Sequence, residues 1–70
     1  MTITDINGVT KELINGLTFN VIGVPFPYEA TITNITSTEV TTVSEFYDNR
    51  PGKRTVNNLK NNFANGGYVW

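Results

Sequence analysis

The chain has 70 residues, a formal net charge of −1, and no cysteine or histidine. This length allows one domain, residues 1–70, and the missing residue types exclude disulfides and any metal, redox or catalytic site built from them. We therefore expect a protein that is not an enzyme and has no metal site and no cofactor. No apolar run is long enough for a membrane span, and the N-terminus lacks a secretory pattern, so we expect a cytoplasmic protein without a membrane partner.

The N-terminal third contains two Asn-Gly pairs, Asn7-Gly8 and Asn15-Gly16, each between apolar residues. Such pairs are typical of tight hairpin turns, because both residues tolerate positive φ. The resulting prediction is a three-strand antiparallel meander over residues 2–6, 9–14 and 17–24. A short helix from Thr10 to Ile14, ended by a left-handed Gly16, explains the middle piece equally well. The sequence leaves both interpretations open.

The third of these strands has the clearest pattern. Leu17, Phe19 and Val21 alternate with polar residues and would face the core. Ile22 and Val24 place apolar groups on the other face as well, which predicts that the end of this strand is covered on both sides. The two prolines that follow then end it, because proline cannot donate to a strand ladder.

The middle of the chain also reads as antiparallel strands. Tyr28, Ala30 and Ile32 alternate with polar residues, which predicts a half-buried strand that runs to about residue 36. Three further features are predicted: a turn at residues 37–38, a strand over residues 39–47 that pairs back, and a bulge near residue 34 or residues 41–42.

The C-terminal segment predicts a loop over residues 48–52 and one helix over about residues 55–65. Thr55 would cap the helix through its hydroxyl. The apolar residues at helical spacing form a single stripe, Val56, Leu59 and Phe63. Two glycines end the helix, and the last three residues would form a short closing strand or tail.

Together these elements predict an α+β fold. The expected architecture is a small twisted antiparallel sheet or open barrel of four to six strands, with one C-terminal helix. The sequence does not separate an open sheet from a barrel. A core of this size rarely supplies more than about 3–5 kcal/mol, so we also expect self-association into a homo-oligomer.

Charge is divided unevenly along the chain. Residues 1–48 hold all six acidic residues and one lysine, a sum of −5, whereas residues 49–70 hold four cations and no acid, a sum of +4. The cations lie on a predicted loop that leads into a helix, where backbone amides also attract anions. Aromatic residues nearby would stack on a base. The predicted ligand-binding residues are Arg50, Lys53, Arg54, Lys60, Tyr47 and Trp70.

These features favour a small noncatalytic binding protein that uses the basic loop–helix segment 50–60. The expected partner is an anionic, phosphate-bearing ligand, either a nucleotide-like small molecule or a nucleic acid. A different interpretation is that the acidic and basic segments neutralise each other, within the fold or across a dimer. Two alternative functions then stay open. One is a protein-interaction module, such as a virus-encoded inhibitor or adaptor that binds a host protein through the Pro25–Tyr28 segment, a sheet edge or the acidic face. The other is a purely structural assembly subunit.

Overall fold

A computed structural model describes residues 1–23 and 25–70 of the chain. Its elements follow in the order β1 (Thr2–Thr4), β2 (Thr10–Glu12), β3 (Thr18–Val21), β4 (Tyr28–Ile35), β5 (Glu39–Val43), a turn of 3-10 helix (Glu45–Tyr47), β6 (Gly52–Thr55), α1 (Val56–Ala64) and β7 (Tyr68–Val69). This is the α+β class that the sequence predicts.

The main sheet has five antiparallel strands in the order β6-β5-β4-β3-β7 and curves into a half-barrel. Strands β1 and β2 form a separate two-stranded sheet. The predicted antiparallel sheet with a single C-terminal helix is therefore confirmed. The predicted bulge is present too, because the pairing of β4 with β5 shifts register between Ile32 and Asn34.

The predicted three-strand meander is wrong in its second half. The Asn7-Gly8 turn does form a hairpin, and residues 10–12 are a strand rather than a helix. The Asn15-Gly16 turn, however, does not fold β3 back onto β2. The amide of Gly16 donates to the carbonyl of Ile32 at 2.7 Å, and the amide of Ile32 donates to the carbonyl of Leu17 at 2.9 Å. These hydrogen bonds place β4 beside β3. The other edge of β3 pairs with β7.

Four predicted strands are shorter than expected, and the first two of them, predicted over residues 2–6 and 9–14, are the three-residue β1 and β2. The strand predicted over residues 17–24 is the four-residue β3, and Ile22 beyond it is exposed rather than covered; Val24 lies outside the described residues. The strand predicted over residues 39–47 ends at Val43. The buried hydroxyl of Ser44 donates to the carbonyl of Glu29 at 2.7 Å and accepts from the amide of Phe46. Ser44 thus caps the start of the 3-10 turn, and the pairing of β5 with its neighbouring strands ends before it.

The sequence predicted that the cations before the helix lie on a loop. This prediction is wrong for part of the segment. Residues 52–55 form β6, an edge strand in which Lys53 lies opposite Thr41 and Arg54 lies opposite Val40. The error arises because the proline and glycine at positions 51 and 52 indicate a turn, whereas strand β5 offers a free edge that only the folded sheet reveals. Pairing with this edge satisfies the backbone of residues that would otherwise depend on water.

Helix α1 follows directly and matches the prediction. The hydroxyl of Thr55 accepts from the amide of Asn58 at 3.1 Å, so Thr55 is the N-cap. The stripe of Val56, Leu59 and Phe63 is buried against the concave face of the sheet. No helix in residues 1–23 and 25–70 combines the length and the apolar character that crossing a membrane requires.

The core lies between α1, the β1–β2 hairpin and part of the concave sheet face. Its buried apolar residues are Ile3, Leu13, Phe19, Ala30, Ile32, Val40, Val56, Leu59, Phe63 and Tyr68. Phe63 is central, because its ring lies 5.4 Å from that of Phe19 and 4.3 Å from that of Trp70, with which it stacks. The rest of the concave face, toward the start of β4, stays open.

A buried carboxylate ties the hairpin to the end of the chain. Oδ1 of Asp5 accepts from the amides of Asn7 and Val9, both at 2.9 Å, and Oδ2 accepts from the amide of Trp70 at 3.2 Å. Burial acts to raise the pKa of Asp5, but these backbone donors and the charge of Lys11 together hold it below its ordinary value.

This lowered pKa predicts a pH-dependent stability. Because the folded state favours the ionised carboxyl, the stabilisation is present above the ordinary pKa and is lost as the pH falls through the folded-state value, below 3.8. We expect Asp5→Asn to lower the melting temperature at pH 7, and the gap to wild type to close in acid. Melting curves by circular dichroism across this range measure both, with Asp48→Asn at an exposed carboxyl as the control. A gap that persists unchanged in acid contradicts the ionic role of Asp5.

Candidate functional site

Four aromatic side chains meet where β4 begins and the 3-10 turn follows β5: Phe26, Tyr28, Phe46 and Tyr47. We call this group the aromatic ridge. The rings of Tyr28 and Phe46 stack 4.9 Å apart, and Tyr47 lies edge-on to Tyr28 at 5.4 Å. Phe26, Phe46 and Tyr47 are 54%, 44% and 55% exposed. So much exposed aromatic surface at one end of a small domain indicates a contact surface.

The chain turns sharply after the ridge. Asp48 and Asn49 both have a φ of 56°, the left-handed region that these two residue types tolerate better than most. The amide of Asn49 donates a hydrogen bond to the carbonyl of Ser44 at 2.9 Å, and the amide of Arg50 donates to the carbonyl of Tyr47 at 3.1 Å. This compact turn places Arg50 beside the ridge and directs the chain into β6.

On one side of the ridge, the open part of the concave face forms a groove of about 330 Å³. We call it the basic groove, because two arginines and no acidic residue line it. Its lining consists of Tyr28, Ala30, Thr42, Val43, Ser44, Tyr47, Arg50, Gly52 and Arg54.

Arg54 lies deepest among the cations of the groove. It shares a sheet face with Val40 and Thr42, and its side chain is half-buried. Nη1 donates to the hydroxyl of Tyr68, and the guanidinium lies 5.2 Å from the centre of that ring. Nε is buried and has no hydrogen-bond partner. A charged group in this state is under-solvated, and a further acceptor would stabilise it.

No carboxylate supplies that acceptor. Within residues 1–23 and 25–70 the single ion pair joins the N-terminal amine to Glu12 at 2.9 Å, remote from the groove. Tyr28 also lines the groove, with a hydroxyl group that carries no charge. Burial raises the pKa of Tyr28 above its ordinary value, the neighbouring Tyr47 raises it further, and the charge of Arg54 opposes them. At neutral pH this hydroxyl is protonated and able to donate.

The structure thus brings together three of the six residues predicted for the site: Tyr47, Arg50 and Arg54 all line the basic groove. Lys53 is exposed on the opposite face of β6, because side chains alternate along a strand. A loop, as predicted, would have left both Lys53 and Arg54 available on one side.

The other two predicted residues lie in different places. Lys60 is on α1 and borders a separate depression with Thr38 and Asn57. Trp70 stacks on Phe63, and its indole N–H donates to the carbonyl of Ile3 at 3.0 Å, so it closes the core beside the hairpin. The amine of Lys11 lies 5.7 Å from its ring centre. Trp70 is not among the residues that line the basic groove.

Sequence reasoning missed the floor and the inner wall of the groove, Tyr28, Thr42 and Ser44. A signal for two of them existed, because Thr42 and Ser44 are polar residues within the strand predicted over residues 39–47. Buried polar residues need hydrogen-bond partners. The structure buries both, and the hydroxyl of Ser44 donates to the carbonyl of Glu29, a partner that no local pattern indicates.

On the other side of the ridge lies a second groove, of about 520 Å³, which we call the acidic groove. It shares Tyr28, Val43 and Ser44 with the basic groove but contains two carboxylates and no cation. Its lining consists of Tyr28, Glu29, Thr31, Val43, Ser44, Glu45, Phe46 and Asn49.

The described part of the chain holds no group of three acidic, histidine or cysteine side chains suited to a metal ion. The basic groove presents guanidinium and hydroxyl groups beside the exposed ring of Tyr47. No protein-family model matches the chain, and no significant match was found among curated proteins or solved structures.

Proposed function

We propose that this protein is a small noncatalytic binding protein whose basic groove holds an anionic, phosphate-bearing ligand. One observation carries the proposal: Arg54 is half-buried, its Nε has no partner, and no carboxylate pairs with it in the described residues. An unpaired, partly desolvated guanidinium is costly for a folded domain. A bound phosphate would complete its hydrogen bonds in the bidentate geometry that arginine favours.

The groove offers each part of such a ligand a contact. Arg54, which is half-buried, and Arg50, which is exposed, would both donate to oxygens of the phosphate group. The exposed ring of Tyr47 provides a stacking surface for a planar group, and the protonated hydroxyl of Tyr28 donates a further hydrogen bond. These contacts favour a nucleotide-like molecule over inorganic phosphate.

A small molecule fits better than a long nucleic acid. Nucleic-acid affinity depends on neutralising several phosphates, but only two of the cations line the groove. The acidic groove on the far side of the ridge would repel an extended polyanion. The expected cytoplasmic location and homo-oligomeric state remain predictions from composition and size.

The test is a titration of the full chain with adenosine 5′-monophosphate, followed by amide shifts in two-dimensional NMR. We expect saturable shifts at the groove residues and weaker binding of adenosine and of inorganic phosphate alone. Arg54→Gln should weaken binding about ten- to a hundredfold, since hydrogen bonds to charged groups contribute about 1.5–3 kcal/mol. Lys53→Gln is the matched control, because it removes the same charge from the opposite face of β6.

Two results would contradict the proposal. One is that none of the three compounds binds saturably at millimolar concentration. The other is that Lys53→Gln weakens binding as much as Arg54→Gln, which would show attraction by general charge rather than by the groove. Circular dichroism of each variant establishes that the fold is retained.

A further inference from the structure

The acidic groove carries an inference that is independent of the anion site. Glu29 lies on β4 and Glu45 on the 3-10 turn, so two separate elements each contribute an acidic residue to the lining of one groove. Neither forms an ion pair within residues 1–23 and 25–70. The exposed ring of Phe46 forms part of the same groove, and the exposed Phe26 packs edge-on against it at 5.4 Å.

We propose that the acidic groove, together with the Phe46 side of the aromatic ridge, is a docking surface for a protein partner that presents an arginine side chain. Charge complementarity selects the occupant. A guanidinium between Glu29 and Glu45 would gain two carboxylate acceptors and stack on the face of Phe46. The methylene stem of the same side chain would cover the apolar surface of Val43 and Phe46.

A second copy of this chain fits the surface poorly. The common two-fold dimer brings the same patch of both copies together. Centred on this groove, it would set Glu29 and Glu45 against the same two carboxylates of the other copy. The exposed cation nearest to the ridge, Arg50, lines the other groove and not this one. A partner with its own positive charge avoids this repulsion.

The surface is also distinct from the proposed phosphate site. Tyr28 lines both grooves, but the two arginines line only the basic groove and the two glutamates line only the acidic groove. Loss of Arg54 should therefore weaken phosphate binding and leave arginine binding in place, and loss of the two glutamates should do the reverse. Failure of either proposal leaves the other testable.

The experiment is an NMR titration of the full chain with a short peptide that contains two arginines, blocked at both ends. The same peptide with two glutamines is the comparison. We expect saturable shifts at Val43, Glu45 and Phe46 with the arginine peptide only, and weaker binding at higher ionic strength. Combined Glu29→Gln and Glu45→Gln should weaken binding about tenfold, because exposed ion pairs contribute up to about 1 kcal/mol each.

Glu39→Gln is the matched control, since Glu39 is exposed on the same sheet but lies outside the groove. Phe46→Leu keeps an apolar side chain without the ring, and should weaken binding of the arginine peptide. The proposal is overturned if the glutamine peptide binds equally, or if Glu39→Gln has the same effect as the pair. Sedimentation that shows a dimer dissociated by Phe46→Leu would also overturn it, and would assign the surface to a second copy.

Discussion

Replacing Phe63 by alanine is expected to remove most or all of the protein's folding stability at 25 °C. Phe63 is fully buried, and its ring contacts those of Phe19, Tyr68 and Trp70. Truncating a buried phenylalanine costs about 3–5 kcal/mol, because both the transfer energy and the packing are lost. That is comparable to the whole stability of about 3–5 kcal/mol that a core of this size supplies. Urea denaturation followed by circular dichroism measures the loss.

The matched control is Phe26→Ala, the same truncation at an exposed ring. It should change the free energy of unfolding by about 0.5 kcal/mol, the range typical of surface positions. Phe63→Leu keeps most of the buried volume and should stay folded with a reduced denaturation midpoint. Equal effects of Phe63→Ala and Phe26→Ala would show that the aromatic cluster around Phe63 is not the centre of the core.

The second large effect is expected from Arg54 and Tyr68, the pair at the base of the basic groove. Arg54→Met leaves the buried hydroxyl of Tyr68 without its donor, and Tyr68→Phe leaves the guanidinium with a further unpaired N–H. Each single change should cost about 1–3 kcal/mol, the penalty for a buried polar group without a partner. Both changes together remove the polar pair, and stability should return to within about 1 kcal/mol of wild type.

Thermal melting with and without adenosine 5′-monophosphate distinguishes an effect on stability from an effect on ligand binding in these variants. If Arg54 serves the ligand, the double variant is as stable as wild type but no longer gains melting temperature when the nucleotide is added. Urea denaturation of the four proteins gives the coupling energy, and thermal melting with and without nucleotide gives the ligand effect. Additive single effects would show that the two side chains do not depend on each other. A nucleotide response that survives in the double variant would remove Arg54 from the site.

The proposed docking surface and the proposed phosphate site both include residues of the aromatic ridge. The stacked rings of Tyr28 and Phe46 stand between two grooves of opposite charge. A protein with both surfaces would hold a phosphate-bearing molecule on one side and an arginine-bearing partner on the other. The shared wall at Tyr28 is the place where one occupant would influence the other.

Local patterns in the sequence determined much of the fold. The stripe of Val56, Leu59 and Phe63, with Thr55 before it, predicted the helix and its buried face, because spacing and capping are properties of neighbouring residues. Alternation from Tyr28 to Ile32 predicted β4 for the same reason. The Asn7-Gly8 pair predicted a turn, but the sequence left residues 10–14 open between a strand and a helix, and the structure has a strand there.

Contacts between distant segments decided the rest. The choice of β4 over β2 as the neighbour of β3 depends on hydrogen bonds between residues 16–17 and residue 32, which no local pattern contains. The free edge of β5 turned residues 52–55 into a strand, and strand alternation then sent Lys53 and Arg54 to opposite faces. The sequence by itself thus determined helix α1, strand β4 and the division of charge along the chain. Only the tertiary structure decided which charges share a groove, because this depends on strand pairing across the sheet.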